Sequence, residues 1–156
     1  LYDKAFVFNK KGIIKAITYD PISKKKSDVT VKELDLPKEY YQTSSSNKIF
    51  DGNTNSVVYH DVDEPIIITF KEEHDISGFR YTPNQMRDAS RHIVDYEFYV
   101  DGILIKESAF GNIKNNPIEQ VIKFDNIKGK EVKFVPKSNT DNAKNCGIAE
   151  FSVITD

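Results

Sequence analysis

A chain of 156 residues has room for one domain with a substantial core, or one domain plus a short appendage, and not for two full domains. With 22 basic against 24 acidic side chains, three histidines and a formal charge of -2, bulk electrostatics give no reason to expect nucleic acid or an anionic membrane as partner. No apolar run approaches the roughly 18 residues of a membrane-spanning helix, and no signal-peptide pattern opens the sequence, so no membrane insertion is expected. A chain opening on Leu1 is expected to be a piece of a longer or processed polypeptide. Its single cysteine, Cys146, excludes an internal disulfide and reads as a small buried residue rather than a reactive thiol. Abundant tyrosine and phenylalanine with no tryptophan and modest glycine suit a β-rich core.

In chain order, residues 1–34 carry three short candidate strands, 5–8, 13–19 and 29–34. Lys10-Lys11-Gly12 makes the first turn, and Asp20-Pro21 with the basic run to Ser27 makes the second. Lys24-Lys25-Lys26 reads as a solvated hairpin tip. Strands so short rarely stand alone, so they are expected to pack on the main domain or to complete a preceding sheet. Leu36-Pro37 marks a boundary, giving a β appendage over 1–36 and a main domain over 37–156. Beyond it, candidate strands recur at 66–70, 76–82, 93–100, 104–108, 120–124, 131–136 and 148–154, with turn signals between them. Apart from a turn or two of helix around Lys48-Ile49-Phe50, no segment shows a helical period. That cadence predicts an all-β fold, an antiparallel sandwich or jelly roll.

The stretch 76–102 organises the rest. Val94, Tyr96, Phe98 and Val100 fall on one strand face, and Ile93, Asp95, Glu97 and Tyr99 on the other, so one face is apolar and one mixed. Pro83 removes a ladder donor, which sends 84–92 out of the sheet with Asn84, Gln85, Arg87, Arg91 and His92 aboard. Amides and guanidinium groups with fixed donor geometry suit neutral polyols such as sugars; composition alone equally allows a plain solvated loop. A second polar loop, 138–147, carries Asn139, Asp141, Asn142 and Asn145, and would line the same rim if the strands are antiparallel.

Asp51-Gly52-Asn53-Thr54-Asn55-Ser56 places oxygen-bearing side chains around a glycine turn. Calcium wants six to eight such oxygens, but an Asx-turn bonding its own backbone is the ordinary reading. It is no EF-hand, because Val62 stands where the twelfth-position glutamate belongs. Catalysis finds no metal-binding histidine spacing, nucleophile elbow or phosphate-cradling glycine loop. Asp61, Asp63, Glu64, Glu72 and Glu73 are acidic residues that nothing singles out as a hydrolytic pair.

Five marks then fall in a familiar order: Ile49-Phe50-Asp51-Gly52 with Asn53 and Ser56; Pro65-Ile66-Ile67-Ile68; Ile76-Ser77-Gly78-Phe79 with Tyr81-Thr82-Pro83; Tyr96-Glu97-Phe98-Tyr99-Val100-Asp101-Gly102; and Ala149-Glu150-Phe151-Ser152-Val153. From about Lys38 to its end the chain resembles the discoidin, or coagulation factor type C, superfamily, and within it the family 32 carbohydrate-binding modules. Phe110-Gly111-Asn112-Ile113 with Asn115-Asn116-Pro117 and Gln120 is similar to C-terminal modules of bacterial chitobiase-type β-N-acetylhexosaminidases and α-L-fucosidases. In such enzymes a small β domain precedes the module, and its last strands resemble residues 12–16 and 26–29 here.

The resemblance implies an eight-stranded, galactose-binding-domain-like jelly-roll sandwich that binds terminal sugars of glycans at one rim without catalysis. It further implies attachment to a catalytic domain in a secreted, periplasmic or cell-surface bacterial glycoside hydrolase. A structural calcium ion is implied at Asp51, Asn53, Ser56 and Glu150. Val57-Val58-Tyr59-His60 stands where the family has a tryptophan and often a histidine, so Tyr59 is expected to serve as platform and His60 as a contact. Asn84 replaces a frequent arginine, which passes that role to Arg87 or Arg91, and no aromatic lies between Ser138 and Gly147. The expected sugar contacts are Tyr59, His60, Arg87, Arg91, His92 and Asn145. The alternatives are a structural or protein-interaction domain on the same fold that binds no glycan, and an enzyme in its own right.

Overall fold

The computed structural model describes residues 11–35, 41–87 and 89–155, so the strand expected at 5–8 lies outside the described residues. Contacts divide the chain into two units, Leu1–Pro37 and Lys38–Asp156. In the first, β1 (Gly12–Ala16) and β2 (Thr30–Leu34) form an antiparallel pair in which Ile13 faces Glu33 and Lys15 faces Val31. Beyond Ala16 the pairing survives only as a Tyr19–Lys26 bridge, which makes β1 shorter than its apolar run. Asp20 holds the connecting turn by accepting bonds from the Ser23 hydroxyl and the Ile22 amide, and these keep its carboxyl below the usual range. Lys24, Lys25 and Lys26 are exposed on that turn, as a solvated tip requires.

The second unit is an antiparallel β structure. Its elements are β3 (Tyr41–Thr43), a single 3-10 turn (Asn47–Phe50), β4 (Val58–Asp61), β5 (Ile66–Pro83), β6 (Asp95–Val100), β7 (Ile103–Ala109), β8 (Gln120–Pro136) and β9 (Asn145–Thr155). The strands run in the order β4-β9-β5-β8-β6-β7, with β3 added on β5. Two long strands make the fold. The runs expected as separate strands at 66–70 and 76–82 join as β5, and those at 120–124 and 131–136 join as β8. The polar stretch from Lys71 to Asp75 looks like a turn in sequence, but here it is a bulged part of β5, with register shifts between Thr69 and His74 and between Ile76 and Gly78. The first half of β5 pairs with β3 and with 131–134, and the second half with β9 and with 120–127. One continuous sheet therefore curls over itself into two layers.

Between the layers lies an aromatic core. Phe79 stacks on Phe98 at 4.7 Å and on Phe151 at 5.6 Å, and meets Tyr96 edge-on at 5.4 Å. The face expected to be apolar, Val94, Tyr96, Phe98 and Val100, does turn inward, with all but half-buried Val94 fully covered. Gly78 permits the corner, since a Cβ there would lie 2.1 Å from the Ile122 carbonyl oxygen.

Tyr81 extends this core toward the end of the sheet, stacked on Phe110 at 5.0 Å. Its buried hydroxyl donates to the Gly147 carbonyl and accepts from the Ile93 amide, both at 3.1 Å. Burial holds its proton on far above the usual phenol range. One hydroxyl thus ties the end of β5, the approach to β6 and the start of β9. Tyr81→Phe is expected to cost about 1–3 kcal/mol by stripping both buried backbone groups of a partner. Urea unfolding should show it as a lower midpoint with an unchanged m-value.

Candidate functional site

The site begins with a register. In the β4–β9 pair Tyr59 faces Gly147, His60 faces Cys146 and Asp61 faces Asn145. Residues opposite one another share a sheet face, so Tyr59, Asp61, Asn145 and Gly147 line one side, and His60 and Cys146 the other. Tyr59 is 51 % exposed there, a ring with a free surface.

Gly147 lets the 84–92 connection cross at this point. A Cβ on it would meet Asn84 Cβ at 3.2 Å and both the Ser90 carbonyl oxygen and Val57 Cγ2 at 3.4 Å. Its amide instead donates to the Arg91 carbonyl at 2.9 Å. Arg91 holds a left-handed backbone, φ 59°, uncommon for a residue with a long side chain. From it the guanidinium Nη1 donates to Asn145 Oδ1 at 2.7 Å, and Cζ sits 5.5 Å from the centre of the Tyr59 ring. Three residues proposed from the sequence, Tyr59, Arg91 and Asn145, therefore form one contiguous group.

The other three do not join it. The ring of His60 lies on the opposite sheet face, with Nε2 donating to the Glu64 carbonyl at 2.9 Å. Arg87 is exposed on the turn closed by the Ala89 amide and the Met86 carbonyl, and is not bonded into the group. His92 is only 3 % exposed; its Nδ1 has no partner, and burial holds its pKa below the usual imidazole value against the opposing pull of Asp141. Alternation of side chains explains His60, which lies in β4 between Tyr59 and Asp61 and so faces the other way. Cys146 is buried, donates to the His60 carbonyl at 3.2 Å and is pushed up to about 12 by burial, an inert thiol at neutral pH.

A residue that sequence reasoning left among the generic loop polars turns out to organise the site. Asn139, 4 % exposed, donates to the Ala143 and Asn145 carbonyls at 2.7 and 3.2 Å and accepts from the Asp141 and Ala143 amides at 3.1 and 3.0 Å. Its signal was the Asn-Thr-Asp-Asn cluster, which favours side chains bonding nearby backbone.

The expected calcium loop shows the Asx-turns that its composition suggests. Asp51 Oδ1 accepts from the Asn53 amide at 2.8 Å, Asn53 Oδ1 from the Asn55 amide at 3.1 Å, and Ser56 Oγ donates to the Asn53 carbonyl at 2.9 Å. Glu150, paired with Thr82 across β5 and β9, brings a second carboxyl against Asp51. Its Oε1 is buried and unpartnered. Burial first, and the Asp51 carboxyl second, push Glu150 up to about 7, against the pull of the Gly52 and Asn53 amides. Among the described residues no three of His, Cys, Asp and Glu gather into a cluster. The donor set is instead two carboxyls amid neutral oxygens, which fits a hard cation and not a thiophilic one.

Residues 26–151 match the family model described as the F5/8 type C domain. No curated protein matches the chain. Among solved structures, the family 32 carbohydrate-binding module of Clostridium perfringens NanJ, in complex with galactose, is 18 % identical with a TM-score of 0.62, over 75 % of this chain and 95 % of that one. CpGH89CBM32-5 from Clostridium perfringens, in complex with GalNAc-β-1,3-galactose, is also 18 % identical, with a TM-score of 0.63 over 76 % and 97 %. The C-terminal domain of a Bacteroides fragilis chitobiase is 17 % identical, with a TM-score of 0.62 over 78 % and 97 %. At these identities the likeness is one of fold, the jelly-roll sandwich of carbohydrate-binding modules.

The Glu150–Asp51 contact has a measurable consequence without any ion. A carboxyl whose folded pKa is raised contributes stability that is complete below its unfolded value and lost as pH rises through the folded one. In chelator-treated buffer, stability should therefore fall between about pH 4.5 and pH 7. Thermal melts of Glu150→Gln should show a flatter profile and a higher Tm than the parent at pH 8.

Proposed function

The chain belongs to the F5/8 type C domain family, and on that premise we propose that it is a noncatalytic carbohydrate-binding module which grips terminal sugars of glycans through Tyr59, Arg91 and Asn145. One observation supports this most: a guanidinium is bonded to an amide at 2.7 Å beside an aromatic residue that is 51 % exposed. An aromatic face covers the apolar side of a pyranose, while the unused guanidinium and amide hydrogens meet its hydroxyls. Neighbours of the same fold are described with galactose and with a GalNAc-terminated disaccharide, and one is the C-terminal domain of a chitobiase. The module would accordingly serve a secreted, periplasmic or cell-surface bacterial glycoside hydrolase of the hexosaminidase or fucosidase kind, holding its catalytic domain near substrate.

The carboxyl arrangement favours binding over hydrolysis. Asp51 and Glu150 touch, whereas glycosidase pairs stand about 5–9.5 Å apart to admit the sugar. Asp61 and Asp63 are engaged at the surface by Lys144 at 3.2 Å and Lys137 at 2.5 Å. The Asp51–Glu150 contact suits a structural calcium ion, with Asp51, Asn53, Ser56 and Glu150 as its protein oxygens, tying the early loop to β9. Neutralising the two facing carboxyls is the chemistry such an ion would supply.

Calorimetric titration with galactose, N-acetylgalactosamine, N-acetylglucosamine and fucose tests the sugar reading. At least one should bind with a Kd between high micromolar and millimolar, about 4–6 kcal/mol. Arg91→Ala should weaken it by about tenfold or more, Tyr59→Ala severalfold, and Arg87→Ala little. A folded protein that binds none of the four would favour a purely structural domain. For the ion, calcium should raise the Tm relative to chelator, more at pH 8 than at pH 6 because Glu150 must shed its proton. Glu150→Gln should abolish the rise; a parent melt indifferent to calcium would rule the ion out.

A further inference from the structure

Arg91 is the least self-sufficient residue of the sugar-facing group. Its left-handed backbone carries a cost for any side chain with a Cβ, so neighbours must hold it there. On the carbonyl side the hold is the Gly147 amide. On the amide side it is a side chain: the Arg91 N–H donates to Asp141 Oδ2. Asp141 is itself steered twice, by the Thr140 hydroxyl, which donates to the same oxygen at 2.8 Å, and by Asn139 Oδ1, which takes the Asp141 amide. Residues 91–93 and 139–140 are laced further by the His92 amide on Thr140 Oγ1 at 3.2 Å, the Thr140 amide on the His92 carbonyl at 2.9 Å and the Ile93–Asn139 bridge.

We propose that Asp141 is a positioning residue for glycan recognition: its carboxylate fixes the left-handed turn at Arg91 and so aims the guanidinium at Asn145 and across Tyr59. The proposal rests on the glycan reading given above and adds to it a residue that need not touch the sugar. Removing the carboxylate frees the Arg91 amide to seek water. The backbone then relaxes toward commoner dihedrals, and the side chain swings away from both partners. The Thr140 hydroxyl and the Arg91 amide, in that order, hold the Asp141 carboxyl below the usual range, so the clamp stays charged at neutral pH.

The experiment compares the parent, Asp141→Ala and Asp141→Asn by NMR without ligand, then by titration with N-acetylgalactosamine and galactose. In the parent, the Arg91 side-chain protons should be shifted by the Tyr59 ring and the Asn145 side-chain amide should be dispersed. Asp141→Ala should collapse both toward random-coil positions, leave the Asn139 side-chain amide in place, and weaken sugar binding by about fivefold or more. Asp141→Asn keeps an acceptor oxygen and should recover most of both. Unchanged Arg91 and Asn145 signals in Asp141→Ala overturn the proposal. So does an affinity loss without those shifts, which would make Asp141 a direct contact. If the parent binds neither sugar while the signals move as stated, the glycan reading fails and the hold of Asp141 on Arg91 stands.

Discussion

The buried hydroxyl of Tyr81 sets the terms for the end of the domain that carries Tyr59, Arg91 and Asn145. Lodged among aromatic rings, it needs a donor and an acceptor, and it finds them in the Ile93 amide and the Gly147 carbonyl. Gly147 then spends its own amide on the Arg91 carbonyl. Both polar groups of one glycine are thereby committed, one to the core and one to the 84–92 loop. The position of Arg91 follows from the packing of the interior through two hydrogen bonds, which explains how a polar loop between two strands can present a guanidinium in a defined place.

That arrangement also shows why a glycine belongs in β9. The loop lies so close that any side chain at 147 would press on Asn84, Ser90 and Val57. Close approach replaces what would otherwise be a gap over the strand and brings the two polar connections within bonding distance. The 138–147 loop contributes through Asn139, whose amide group spends all its capacity on backbone and leaves none for a ligand. Buried, fully bonded amides of this kind make a loop behave as part of the scaffold.

Much of the fold was legible because side-chain alternation is strong where strands are half-buried. Val94 to Val100 announced both its strand and its inward face, and Pro83 marked the end of β5 correctly. The continuity of β5 and β8 was not legible, since Lys71-Glu72-Glu73-His74-Asp75 has the composition of a turn and only tertiary pairing keeps it in the ladder. β3 and β4, three and four residues long, are too short for a period to show. The same shortness concealed the arrangement of Tyr59 and His60: once β4 is known to be a strand, adjacent residues must point to opposite faces. His92 was drawn into the expected site by its donor-rich neighbours, but it immediately precedes Ile93, which is fully buried, and shares its fate. No local pattern announces that Asp141 meets Arg91, because the contact spans 50 residues and depends on two loops meeting.

One strand serves both ends of the domain's polar chemistry. β9 carries Asn145 and Gly147 at its start, where the guanidinium is received, and Glu150 a few residues on, against the Asp51 carboxyl. The strand lies between β4 and β5, so neither end can move without disturbing a ladder. Two facing carboxyls push the 51–56 loop and β9 apart when both are ionised, and a proton or a hard cation removes that repulsion. Whatever occupies the carboxyl pair therefore bears on the seating of β9, the strand that also carries Asn145 and Gly147.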